Sequence, residues 1–312
     1  MRKVSIILFL SLGLLSIGLN SSKTNAAEAG VSFYVPGLYG DIAVAIPPSP
    51  GNYMLSTSLH YRSMTLSPSL PNQIDENIRA ETFAELIRAF WVPKETVLGA
   101  QVLMGLRVIA LDVNVEADIN TPLGLLKIKD RNSGFGDFSI IPLSLYWQFG
   151  DLYINLYEVI SIPVGQFDKN RFANVALNHW VFDTVLGITW LDQKTGIELS
   201  LTPGLIYNTV NKDTNYQTGI EFHMDVMLNW HISSSLSIGL HGSVYNQLTG
   251  DKGGHPSLGS FKGRSYSIGP SMTYYDKSSD PNYLVSLKWL HEFNSKNKAE
   301  GDLTLLTMGI KF

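Results

Sequence analysis

The sequence predicts an all-β fold: a transmembrane, antiparallel, up-and-down β-barrel of about twelve strands, following a cleaved signal peptide. Three observations carry that reading. The chain begins with the layout of an export signal. Its apolar residues are spread by alternation along strands instead of being gathered into spanning helices. Its connections are short and long by turns, a sorting that a membrane barrel requires and a β-sandwich does not.

Arg2 and Lys3 give a basic start, Val4 to Leu19 form an uncharged apolar run, and polar then small residues follow through Ala27. The run is shorter than the ~20 residues a spanning helix needs. Residues 1–27 therefore read as a signal peptide, cut after Ala26 or Ala27. The whole chain is 45% hydrophobic and 16% charged, with fourteen Tyr, fourteen Phe and six Trp. Soluble domains carry ~25% charged residues. Zero cysteines suit an exported chain that uses no disulfide. A net charge of −4 gives no reason to expect a nucleic-acid partner.

The barrel is assigned to residues 51–312. In the first strand, Asn52 to Arg62, Tyr53, Leu55, Thr57, Leu59 and Tyr61 alternate with Asn52, Ser56, Ser58, His60 and Arg62. The third, Leu98 to Val108, sends Leu106 and Val108 outward and Gln101 and Arg107 inward. The eighth alternates Ile220, Phe222, Met224, Val226, Leu228 and Trp230 with Glu221, His223, Asp225 and Asn229. The last strand carries Thr304, Leu306, Met308, Ile310 and Phe312 on one face and stops on that aromatic. It resembles the closing strand of bacterial outer-membrane barrels. This implies an outer-membrane address, contact with outer-membrane lipid, and recognition by the barrel-assembly machinery through the strand ending in Phe312.

VPKE, QFGD, LDQKT, HISSS and YDKSSDPN mark short turns at every second connection. Between them lie longer connections at 65–77, 116–135, 163–178, 209–216, 249–263 and 295–300. Short periplasmic turns and longer extracellular loops are the barrel pattern. Residues 78–91 fit an amphipathic helix as well as a strand. Strand is chosen because parity needs one, with Leu86 and Phe90 outward and Arg79, Glu81 and Glu85 inward. Glu158 is left on the greasier face of its strand. Pro142, Pro203 and Pro270 each remove a ladder hydrogen bond, so bulges or kinks are expected there. Residues 28–50 hold four prolines and three glycines with no sustained alternation. Phe33, Tyr34, Leu38, Tyr39 and Ile42 would be wet in a periplasmic flap and buried in a segment plugging the barrel lumen; both placements stay open.

Several stretches resemble one family, the outer-membrane proteins named after the meta-cleavage (MetA) pathway of phenol degradation. They are YVPGLYGDIAVAIPPSPGNY (34–53), GFGDFSIIPLSLYWQFGD (134–151), SIPVGQFD (161–168) and NVALNHWVF (174–182), then NKDTNYQTGIEFHMD (211–225), VYNQLTGDKG (244–253), IGPSMTY (268–274) and the terminal GDLTLLTMGIKF. SIPVG departs from the more usual Pro-Thr-Gly, and Asp183 stands where proline is expected. The resemblance implies passage of aromatic or other hydrophobic compounds across the outer membrane.

No catalytic, cofactor or metal motif is present. The seven histidines show no ligand spacing, and NKDTN and TGDKGG read as solvated loop tips. The candidate functional residues are those on inward positions: His60, Arg79, Arg107, Glu198, Glu221, His223, Asp225, Lys288 and Glu292. They form either a charged constriction or a paired network filling a modest barrel. The expected function is a non-enzymatic channel for small aromatic or hydrophobic solutes. The alternatives are a structural barrel without transport and, less favoured, a barrel hydrolase built on Ser243 and His241.

Overall fold

The computed structural model describes residues 28–40, 44–66, 76–121, 124–253, 262–276 and 282–312. The signal-peptide assignment and Ile42 fall outside them. The strands are β1 (Gly51–Leu66), β2 (Glu76–Val92), β3 (Thr96–Val97), β4 (Ala100–Thr121), β5 (Gly124–Phe135), β6 (Phe138–Phe149), β7 (Leu152–Ile162), β8 (Val181–Asp192), β9 (Ile197–Asn208), β10 (Glu221–His231), β11 (Leu236–Gln247), β12 (Arg264–Asp276), β13 (Asn282–Lys296) and β14 (Ala299–Lys311). All but β3 and β5 make one antiparallel wall of twelve strands, and β14 pairs back onto β1 from Tyr53↔Lys311 to Leu66↔Ala299. Closure leaves no wall strand with a free edge, the condition for crossing a bilayer with strands.

Alternation sets the two faces. On β10, Glu221, His223, Asp225 and Met227 are buried, whereas Leu228 and Trp230 are more than half exposed. Leu240, Ile268, Met272, Leu287, Leu306 and Met308 continue the exposed apolar surface around the wall. A belt this extensive would drive aggregation in water; in a bilayer it is the lipid-facing band. Exposed Trp91, Phe149, Trp190, Trp230 and Phe312 lie toward the short-turn end. Toward the other end Trp180 stacks on Phe182, Phe182 meets Tyr207 at a tilt, and Tyr266 stacks on Phe293. Aromatic girdles at both interfaces are the signature of a membrane barrel.

Four expectations are corrected. Residues 78–91 are strand, but with the faces reversed: Phe83, Ile87 and Trp91 point out, and Leu86, Arg88 and Val92 are buried inside. β1 is reversed likewise, with Leu55 and Thr57 inward and Met54 outward. Residues 116–135 are not a loop. The alternation of Val113, Val115 and Ala117 with Asp112, Asn114, Glu116 and Asp118 continues β4, and β5 folds back on it. The other face of this hairpin is laced by ion pairs, Arg131–Asp112 at 2.5 Å and Lys129–Glu116 at 2.6 Å. Finally, 295–300 is mostly strand, broken only by Asn297 and Lys298, with Asn297 at φ 52°. Of the three prolines, Pro142 lies at a register shift on both sides of β6. Pro203 and Pro270 stay in register.

Candidate functional site

The described residues 28–40 and 44–50 contact side chains of several wall strands. At the long-loop end, the Glu28 amide donates to Thr218 Oγ1 at 3.2 Å, and Asn211 donates to the Glu28 carboxylate at 2.9 Å. Val35-Pro36-Gly37-Leu38 then turns, closed by the Leu38 amide on the Val35 carbonyl at 3.2 Å. Gly37 has φ 83°. Proline followed by a glycine at positive φ is the type II turn chemistry. A Cβ at Gly37 would also meet Leu290 at 2.8 Å. The turn sets Tyr34 and Tyr39 on either side of Asp225. The Tyr34 hydroxyl and the Tyr39 amide (3.2 Å) both donate to that carboxylate. The Tyr39 hydroxyl donates to Asp183 at 2.5 Å. Lys288 donates to the Gly37 carbonyl at 2.6 Å. Lower down, the Ala45 amide donates to Thr189 at 3.2 Å. Lys311 donates to Ser49 at 2.6 Å beside the start of β1.

The wall meets this segment with fully buried polar groups. His223 bonds Asp183 at 2.9 Å and stacks on Tyr34 with ring centroids 4.5 Å apart. Tyr245 donates to Glu221 at 2.5 Å, and Asn208 donates to its other oxygen at 2.9 Å. Glu292 accepts from Tyr61 at 2.8 Å and Ser265 at 3.2 Å. Glu198 bonds His231 at 2.6 Å and accepts from Ser200 at 2.7 Å. Buried carboxylates are stable only when their lone pairs are met this way.

Of the nine inward residues expected from sequence, Arg107, Glu198, Glu221, His223, Asp225, Lys288 and Glu292 are buried on the inner face. His60 and Arg79 are not. His60 stacks on Phe83 outside the wall and bonds Glu81 at 3.0 Å, and Arg79 is half exposed beside Asp118 at 3.5 Å. Both follow from the reversed faces of β1 and β2. Phe33 and Tyr39 pack on the cluster of Tyr34, Val181, Ile206 and Tyr245, and Leu38 packs on Leu290, Leu303 and Leu305. Sequence reasoning missed Arg88, hidden by the same reversal, and Tyr245. It also missed Asp183, whose signal was present: it is the residue that replaces the expected proline. Ser243 bonds Ser267 at 2.6 Å, and His241 faces Asp225 at 3.4 Å, so the two do not form a nucleophile–base pair. Asp251 of the TGDKGG motif accepts from Tyr216 (2.6 Å) and the Gly219 amide (2.9 Å), stapling two loops together. No group of potential metal ligands occurs among the described residues.

A closed twelve-stranded wall with an apolar outside, aromatic girdles and a polar inside defines a bacterial outer-membrane β-barrel. The family model described as "Putative MetA-pathway of phenol degradation" matches residues 66–308, and the chain belongs to that family. Among solved structures it is similar to the COG4313 outer membrane channel from Pseudomonas putida F1. The TM-score is 0.67 at 11% identity, covering 89% of this chain and all of that one. The transport unit of the autotransporter AIDA-I from Escherichia coli aligns at TM-score 0.49 and 9% identity over 96% of this chain and 97% of that one. No curated protein matches the sequence.

Proposed function

We propose that the protein is a narrow outer-membrane channel for passive entry of small aromatic or hydrophobic solutes, with residues 28–50 as its internal plug. One observation carries the reading: the segment lies against inner-face residues from Thr218 at one end of the barrel to Lys311 at the other. A structural barrel needs no such core element, because its wall hydrogen bonds are complete without it. Twelve strands also enclose more space than the eight that wall side chains alone can fill. Its Phe33 and Tyr39 stand beside Arg107 and Asp183, a pairing of aromatic and charged groups suited to small solutes with an apolar body. The P. putida relative is described as a channel, which agrees.

Deleting residues 28–50 should leave the wall intact, raise single-channel conductance in planar bilayers several-fold, and weaken discrimination among solutes in a liposome uptake panel. A well-inserted deletion protein whose conductance and selectivity match the parent would show that the segment is no plug, and a parent with neither conductance nor uptake would favour the structural barrel.

A further inference from the structure

Four polar side chains face inward in one cross-strand row that runs from β2 to β7. Arg88 on β2 lies opposite Arg107 on β4, Arg107 opposite Ser139 on β6, and Ser139 opposite Ser161 on β7. All four are buried, at 8, 8, 3 and 1% exposure. Arg107 and Ser161 are two strand spacings apart, about 10 Å, within the combined reach of an arginine and a ligand oxygen. The row is all donors and potential donors, and it contains two like charges side by side, which cross-strand pairing disfavours unless something compensates.

Among the described residues, Arg107 is not fully satisfied. Arg88 donates to Thr57 at 2.6 Å. Arg107 has a buried Nε with no hydrogen-bond partner, and the Ser161 hydroxyl has none either. The carboxylates that flank the row along its strands are committed elsewhere. Asp183 holds Tyr39 and His223, and Asp137 accepts from the Gly165, Leu177 and Asn178 amides at 3.0, 2.8 and 3.3 Å. What covers Arg107 is an aromatic ring: its guanidinium lies 4.9 Å from the centroid of Phe33. Phe33 also packs against the cluster containing Ile141 and Val159, beside Tyr146 and Tyr157. A guanidinium with an unpaired Nε, an unpaired hydroxyl, a capping ring and an apolar wall together match a ring that carries an acidic oxygen. A guanidinium reads a carboxylate through two parallel bonds and stacks on aromatic faces.

We infer that the Arg107–Ser139–Ser161 row is an entry site for monocyclic aromatic anions, of the benzoate type, and that Phe33 occupies the ring position until such a solute displaces it. The site deepens the channel reading and rests on it for its purpose, but binding is measurable without transport.

Titrating the detergent-solubilised full-length mature protein with sodium benzoate, and with benzyl alcohol as the neutral control, tests this calorimetrically. Arg107→Gln should weaken benzoate at least ten-fold and Ser161→Ala several-fold, with benzyl alcohol unchanged. Phe33→Ala should tighten benzoate. Arg107→Lys, which keeps the charge without the fork, should fall between parent and Gln, and heat-modifiable migration checks that each variant is folded. Absence of benzoate binding to the parent, equal affinity in Arg107→Gln, or parallel loss of benzyl alcohol would each overturn the site. Arg107-dependent binding with no liposome uptake of any solute keeps the site and removes the channel. Uptake with Arg107-independent binding does the reverse.

Discussion

On β10 the outward positions are Phe222, Met224, Val226, Leu228 and Trp230; on β1 they are Asn52, Met54, Ser56, Ser58 and His60. Both strands belong to one wall. The difference lies in what they face inside. β10 meets hydroxyls and carboxylates, so its inner face is polar and its apolar face goes to lipid. Leu59 and Tyr61 of β1 pack on Leu290, Leu303 and Leu305 together with Val35 and Leu38 of the internal segment. An apolar plug demands an apolar wall opposite it. There the greasier face points inward, and alternation alone misleads. The polar outer seam is met by its own bonds: Ser58 donates to Glu85 at 2.6 Å, and Ser56 donates to the other oxygen of the same carboxylate. Ser58 pairs with Leu306 on its other side, so Glu85 sits at the height of the lipid-facing band. Glu158 on β7 is handled the same way by Thr184, at 2.5 Å.

The largest effect that separates the two regions is expected from charge on the apolar outside. Val226→Arg should cost ~2–4 kcal/mol in unfolding from lipid vesicles, as lipid-facing arginines do near the midplane. Asn229→Arg on the inner face, beside Glu198, should cost far less; equal costs would mean the faces of β10 are misassigned. A smaller effect contrasts two carboxylates. Glu221→Leu strands the Tyr245 hydroxyl and the Asn208 amide and should cost about 1–3 kcal/mol, the usual penalty for orphaned buried groups. Glu85→Leu replaces a lipid-facing carboxylate by an apolar side chain and should change stability by less than about 1 kcal/mol or raise it. If Glu85→Leu proved the costlier of the pair, the assignment of β2's faces would be wrong.

The smallest effect lies outside the membrane. Asp130 on β5 accepts from Arg171 at 2.6 Å and from the Phe172 and Ala173 amides, each at 3.0 Å, tying the β7–β8 connection to the β4–β5 hairpin. The Arg171 hydrogen bond, helped by those amides, holds its pKa down at about 2. A depressed carboxylate contributes stability above its ordinary value of ~3.9 and loses it as pH falls through about 2. Proteolytic protection of residues 163–180 should therefore hold at pH 5 and decline between pH 4 and 2. Asp130→Asn should remove that pH dependence; an unchanged profile would show that the tie does not order the loop.

Barrel class, closure through the last strand and the faces of β10 to β12 were readable because one side of those strands is almost wholly apolar. The bend at Pro142 was readable too, since a missing amide must interrupt the ladder. The β4–β5 hairpin was not, because its outer face projects ion pairs and its polarity resembles a loop. Arg88 and His60 were misplaced for the reason given above. The contacts of Tyr34 and Tyr39 were beyond sequence reading, since Asp225, Asp183 and His223 come together only when β8 and β10 curve around one lumen. Asp183 could have been found by asking why a family proline is replaced by a residue that needs a partner.

The central claim is that residues 28–50 occupy the lumen, and the absence of cysteine makes one measurement direct. Ala45 and Thr189 touch through a 3.2 Å hydrogen bond. Ala45→Cys combined with Thr189→Cys should bring two thiols within disulfide reach inside the wall. Mass spectrometry of the folded, membrane-inserted protein after mild oxidation should show the 45–189 cystine in most molecules. A control pair of Ala45→Cys with the outward Trp190→Cys should show none. Free thiols at 45 and 189 in a correctly inserted barrel would place the segment outside the lumen and contradict the account.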